Sequence, residues 1–346
     1  MHIRMKRLKL SLVTLIIIST ATIFTSCETD IDVTAEWKDI TVAYGILNQN
    51  DTAHYLKINK AFLGDGNSLV YAQNADSSSY FNNLEVTLTE VALNGSTRVV
   101  NFDTVHIANK DEGVFYAPKQ VVYKSDFKVP TNLKDQNYRY DLRILNKITG
   151  KEVTSSTYLV KDFDITTPRY GQPTIDFLSD DNLTVKWRTA KDGRRYDVFI
   201  RFWFQEVFNT TDTTDRYIDW KLGSAKSKTL NGGEEMVLLY QPTALYDICK
   251  SLIPHKDGRE DEVTARLTNK VEYTIIASGD ALNTYLEVNG PSSGISQDRP
   301  EYSNIDNGLG LFSCRYNKFI SIAVGAQTEA RFIEMGTLKF VDKLGN

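Results

Sequence analysis

Apolar and polar positions alternate with a period of two along much of the chain. Leu84, Val86 and Leu88 are separated by Glu85, Thr87 and Thr89, while Tyr138, Tyr140, Leu142 and Ile144 are separated by Arg139, Asp141 and Arg143. Successive side chains of a strand point to opposite faces, so this pattern predicts half-buried strands. Residues 40–48 and 54–62 are further β-type runs joined by Gln49-Asn50-Asp51, the outline of a hairpin. Asn94-Gly95 suits the positive φ of a type I′ turn and would send 97–107 back antiparallel. Thr149-Gly150 links 138–144 to a run at 152–160, whereas 64–79, rich in Gly, Asn, Asp and Ser, reads as a loop. Several short strands with turn signals between them predict an immunoglobulin-like β-sandwich over residues 40–165.

Pro168, Gly171 and Pro173 interrupt strand character and suggest a domain boundary, with a second β-rich domain over 166–346. Residues 183–187 and 195–208 open it. In the latter run Tyr196, Val198, Ile200, Phe202 and Phe204 form one apolar face, and Phe199 and Trp203 make the opposite face partly apolar. A strand apolar on both sides is central in its sheet or covered by another layer. Helical spacing appears twice, at 243–253 (Leu245, Ile248, Cys249, Leu252, then Pro254) and at 280–288 (Ala281, Leu282, Tyr285, Leu286). The expected class is mainly β, two sandwich-like domains with short helices inserted in the C-terminal one.

The first residues break this pattern. Arg4, Lys6, Arg7 and Lys9 precede an apolar stretch, 10–24, diluted by Ser and Thr and short of the roughly 20 apolar residues a spanning helix needs. This is the form of a secretory signal over residues 1–26. It ends in Phe24-Thr25-Ser26-Cys27, and small residues before a cysteine resemble the lipobox of bacterial lipoproteins, which implies acylation of Cys27. Glu28, Asp30 and Asp32 follow in a short acidic tether, 27–39, similar to the surface-export signal of Bacteroidota lipoproteins. The implied location is the outer membrane, lipid-anchored, at the cell surface. Removing the first 26 residues moves the net charge from -4 to -8, and no basic block offers a nucleic-acid footprint.

Candidate chemistry is sparse. His54, His106 and His255 are far apart in sequence, and neither Cys-x-x-Cys nor His-Glu-x-x-His occurs, so no metal site is expected. Gly290-Pro291-Ser292-Ser293-Gly294 matches a nucleophile elbow in letters, but a helix precedes it and no histidine follows. Ser125-Asp126-Phe127-Lys128 lies in β-rich sequence, away from the helical geometry that aligns Ser with Lys. Acidic stretches at 179–182, 212–215 and 257–262 lack calcium-loop spacing and read as solvated turns. Aromatic residues make up 11% of the chain, enough either to fill a sandwich core or to supply stacking platforms for a sugar or peptide. Cys249 and Cys314 are either two buried thiols or a disulfide closing a 65-residue loop, which would be worth about 4 kcal/mol. No catalytic residue and no cofactor is expected.

The segment Tyr302-Ser303-Asn304-Ile305-Asp306-Asn307-Gly308-Leu309-Gly310-Leu311-Phe312 resembles the C-terminal signature of a family of uncharacterised Bacteroidota lipoproteins of unknown function. The preceding helix, the lipobox and the strand–Thr-Gly–strand unit ending at Val160 stand in the same order. The resemblance implies a surface lipoprotein, accessory to a TonB-dependent outer-membrane receptor, with Tyr302, Asn304, Gly308, Gly310 and Phe312 as its signature loop. It implies no catalytic residue. The expected function is non-enzymatic binding of a ligand or partner, the alternative a structural or adhesive surface module. The signature loop itself is expected to be a structural clasp, its Gly turns drawing apolar residues inward.

Overall fold

Alternation builds the strands as expected. In β1 (Ile40–Asn48) Thr41, Ala43, Gly45 and Leu47 turn inward, and in β2 (His54–Ala61) His54, Leu56 and Ile58 do so. Then come β3 (Leu84–Ala92), β4 (Thr97–Ile107), β5 (Gln120–Ser125), β6 (Tyr138–Asn146) and β7 (Glu152–Tyr158). The computed structural model describes residues 40–61, 68–108, 113, 116, 119–130, 138–208, 212–255, 260–290 and 301–342. Within the predicted loop at 64–79 two short helices form, α1 (Ser68–Ala72) and α2 (Ala75–Ser78), the second capped by the Asn74 side chain accepting from the Asp76 N–H.

β4 turns the corner between two ladders. Its residues 97–102 pair with β3, and 103–107 pair with β5. On one side of this corner lie β3, β6 and β7; on the other lie β5, β2 and β1. Phe127, just beyond β5, ties them together, its ring 4.4 Å from His54, 6.2 Å from Phe102 and 6.5 Å from Tyr140.

The remaining strands are β8 (Ile165–Thr167), β9 (Thr174–Ile175), β10 (Leu183–Arg188), β11 (Arg195–Phe208), β12 (Asp212–Lys226), β13 (Glu235–Tyr240), β14 (Val263–Ser278) and β15 (Gly308–Val324). Twelve strands join one mixed sheet, ordered β12-β11-β14-β15-β1-β2-β5-β4-β3-β6-β7 with β9 alongside β15, and β13-β10-β8 form a second, small sheet. Hydrogen bonding therefore runs across the boundary read near residue 165. β15 inserts parallel to β1, from Thr41 opposite Gly308 to Asn48 opposite Arg315, while its later residues pair with β14. A strand of 17 residues is long enough to serve both halves.

The helices expected at 243–253 and 280–288 appear as α3 (Ala244–Leu252) and α4 (Asp280–Asn289). A further helix, α5 (Ala326–Met335), follows β15. The small sheet, α3 and α5 cover one face of the long strands. There Tyr240 donates to or accepts from the Tyr273 hydroxyl at 2.6 Å, Trp187 packs on Tyr196, and Phe332 lies 5.3 Å from Phe202 and 4.9 Å from Tyr246. Arg266, fully buried on β14, donates to Glu206 at 2.8 Å, to Glu260 and to the Leu338 carbonyl, pinning the C-terminal segment onto the sheet. Among the described residues no helix is long and apolar enough to cross a membrane.

Candidate functional site

β11 alternates without a break: Tyr196, Val198, Ile200, Phe202, Phe204, Glu206 and Phe208 are buried, and the residues between them are half-exposed. The strand is central, as its two apolar faces predict, but its second face is left open among the described residues. Register assigns that face row by row. Tyr217 stands opposite Trp203. In the next row Asp219, Arg201, Glu272 and Ser321 lie across β12, β11, β14 and β15, and in the row after it come Lys221, Phe199, Thr274 and Phe319. A last row holds Ser224, Asp197, Ile276 and Asn317. Asn50, from the β1–β2 turn, accepts from the Asn317 backbone N–H at 3.0 Å and walls one end. The middle of the face is a groove of about 370 Å³.

Charges on this face are paired. Arg201 donates to both oxygens of Asp219, at 2.7 and 2.9 Å, and its guanidinium lies 3.9 Å from the centre of the Tyr217 ring. Lys270 pairs with Glu272 at 2.7 Å and sits 5.5 Å from the Trp203 ring. Burial pushes the Asp197 carboxyl up, but bonds from Arg195 and Ser224 and the nearby Lys221 hold it below the ordinary carboxylate range. Phe319 is the most open ring on this face, 59% exposed. Aromatic faces, a fixed guanidinium, carboxylates and an amide together can stack on and hydrogen-bond a ligand; because they stand on strands, the ladder fixes their spacing.

Of these residues the sequence had drawn attention to Phe199 and Trp203 alone. Arg201, Asp219, Glu272, Thr274, Asn317 and Phe319 went unread because their convergence depends on β11 pairing with both β12 and β14, a register no local pattern carries. The usable signal was the series of odd-numbered positions opposite the apolar face of β11.

The sequence-predicted residues lie elsewhere. Cys27, its tether and the signal segment are outside the described residues, as is Ser292. The signature loop is built as a fastening. The Asn304 side chain donates to the Phe312 carbonyl at 2.7 Å and accepts from the Phe312 N–H at 2.9 Å, and the Asn304 carbonyl accepts from Ser155 Oγ. Asp306 and Thr154 exchange backbone hydrogen bonds, and Asn307, at φ 58°, donates to the Glu152 carbonyl. Gly310 adopts φ 118°, and a Cβ there would lie 2.0 Å from the Ala43 carbonyl oxygen. Phe312 is buried, and Tyr302 is raised in pKa by partial burial and the field of Asp280. The loop thus joins β7 to β1 and β15, the arrangement of a clasp.

Cys249 and Cys314 are both free and buried, which corrects the disulfide alternative. Cys249 sits on α3 and Cys314 on β15, where its thiol donates to the Tyr158 carbonyl; burial pushes the Cys314 pKa up to about 11 and that of Cys249 higher still. The acidic stretch 212–215 is also corrected: it is not a turn but the start of β12, with Gln205 donating to Asp215. Of the acidic stretch 257–262, residues 257–259 lie outside the described residues, and Glu260, partly exposed, pairs with Arg266. Two hollows of about 450 Å³ each lie beside β5 and share Ser79, Tyr116, Lys119 and Gln120.

No protein-family model matches the chain, and no curated protein matches it. Among solved structures it is similar to a DUF4785 family protein of Legionella pneumophila, at 11% identity and a TM-score of 0.21, covering 68% of this chain and 52% of that one. It is also similar to CBD12 from CALX1.2, at 9% identity and a TM-score of 0.16, over 82% of this chain and 99% of that one. The chain thus spans about half the length of the Legionella protein. Likenesses this distant carry no argument about fold or function.

Proposed function

We propose that this chain is a non-enzymatic, lipid-anchored protein of the outer membrane that holds a ligand on the open face of β12-β11-β14-β15 and serves a TonB-dependent receptor. The observation that carries the binding role is the half-exposed second face of β11, where Phe199, Arg201 and Trp203 meet Asp219, Tyr217 and Glu272 on neighbouring strands. Each central carboxylate is tied to a basic side chain, Asp219 to Arg201 and Glu272 to Lys270. Such pairs orient hydrogen bonds; a general acid needs a carboxyl held protonated instead. The anchor rests on the lipobox-like Phe24–Cys27 text, and the receptor on the family resemblance of residues 302–312.

Affinity purification of the full-length protein from native membranes in mild detergent, with mass spectrometry, tests the assignment. Recovery of a large β-barrel receptor in stoichiometric amount is the expected result. Recovery of the lipoprotein alone, with receptor present in the input, would replace the accessory role with that of a free-standing binder or adhesin. Cys27→Ala is expected to abolish acylation and release the protein from the membrane fraction; retention would remove the anchor from the account.

A further inference from the structure

The open face is specific in what it offers. Phe199, Thr274 and Phe319 share one row across β11, β14 and β15, so the two rings stand roughly 10 Å apart, with a hydroxyl between them. The adjacent row, about 7 Å along the strands, is polar throughout, with Arg201 between Asp219 and Glu272. The centre of the face is thus a line of donors and acceptors rather than the apolar patch that a protein interface places at its middle. Acidic and basic groups alternate and neutralise one another in pairs, so the face offers no block of one sign to a polyanion or polycation. The Asn317 Oδ1 and Trp203 Nε1 atoms, at the end and the edge of the face, are buried and have no hydrogen-bond partner among the described residues.

We infer that this face binds a neutral oligosaccharide, a conclusion that rests on reading it as the ligand-binding surface. A sugar ring has an apolar face of C–H bonds and a rim of hydroxyls that both donate and accept. The first suits the rings of Phe199 and Phe319. The second suits Arg201, Asp219 and Glu272, whose ion pairs fix their orientation while leaving lone pairs and N–H groups to spare. Two rings this far apart exceed the width of one sugar, so an oligomer bridges them where a monosaccharide reaches only one.

The test uses the full-length lipidated protein in detergent and titration calorimetry. The probes are neutral glucan, mannan and galactan oligomers, uronic-acid oligomers, and unstructured peptides. The expected result is binding of a neutral oligomer, weaker for its monosaccharide. The Phe199→Ala/Phe319→Ala pair should weaken it about tenfold or more at unchanged Tm. Asp219→Asn, which keeps side-chain volume, should weaken it as well and guards against a ring variant that folds poorly. Binding of uronic-acid oligomers or peptides that is lost in the same variants would overturn the ligand class while leaving the face as the binding surface. A neutral oligomer bound equally by wild type and all variants, or retention of no probe, would overturn the inference and the face together.

Discussion

His54 lies buried against the Phe127 ring, and burial lowers its pKa below the ordinary histidine value against the opposing field of Asp51. The folded state therefore keeps the imidazole neutral where the unfolded chain takes up a proton. Its contribution to stability is intact above the ordinary value near 6.5 and is lost as the pH falls below it. Wild-type Tm is expected to drop between pH 7 and pH 5, and His54→Leu to show a flatter profile in the same scan; equal slopes would remove His54 as the cause. The signature loop makes a second prediction at this scale. Asn304→Ala removes both side-chain bonds to the Phe312 backbone and should cost about 2 kcal/mol. Gly310→Ala forces a Cβ into the Ala43 carbonyl at a positive φ and should lower Tm further. Normal thermal melts for both variants would mean that the loop is not a clasp.

Elements were legible where local pattern decides them and obscure where partners do. Period-two alternation foretold β3, β6 and β11, β-type composition foretold β1 and β2, and helical spacing foretold α3 and α4 to within a residue or two. β12 was missed because Asp212, Thr213, Thr214 and Asp215 carry turn chemistry, yet they complete a ladder with residues 205–208 of β11, two of which, Glu206 and Phe208, are buried. α5 was missed because it buries little beyond Thr328 and Phe332, too few positions for a recognisable stripe. The Arg266 cluster depends on three separate elements and leaves no local signature. Arg266→Met leaves Glu206 and Glu260 without their main partner and should cost roughly 3–5 kcal/mol, measured by denaturant melts, with part of the loss recovered by adding Glu206→Gln. A variant as stable as wild type would mean that the cluster adds nothing to the hold on residues 338–341.

At the scale of the whole molecule, one long strand decides the organisation. β15 begins at the clasp beside β1 and ends among the long strands of the second half, so the two halves expected from sequence share a sheet. Among the described residues, the middle rows of the β12-β11-β14-β15 face opposite α3 and α5 are uncovered, with aromatic rings and paired charges at spacings the ladder sets. Phe199 and Trp203 marked the strand from the sequence as central or covered; it is central, and which of the two holds depends on segments remote in the chain. The account stands or falls on this face being where the ligand sits. Its most direct test is the affinity of the full-length lipidated protein for the neutral oligomer it retains, measured beside the Phe199→Ala/Phe319→Ala variant at matched Tm. The account predicts a loss of about tenfold or more. Equal affinity in the two proteins would contradict it.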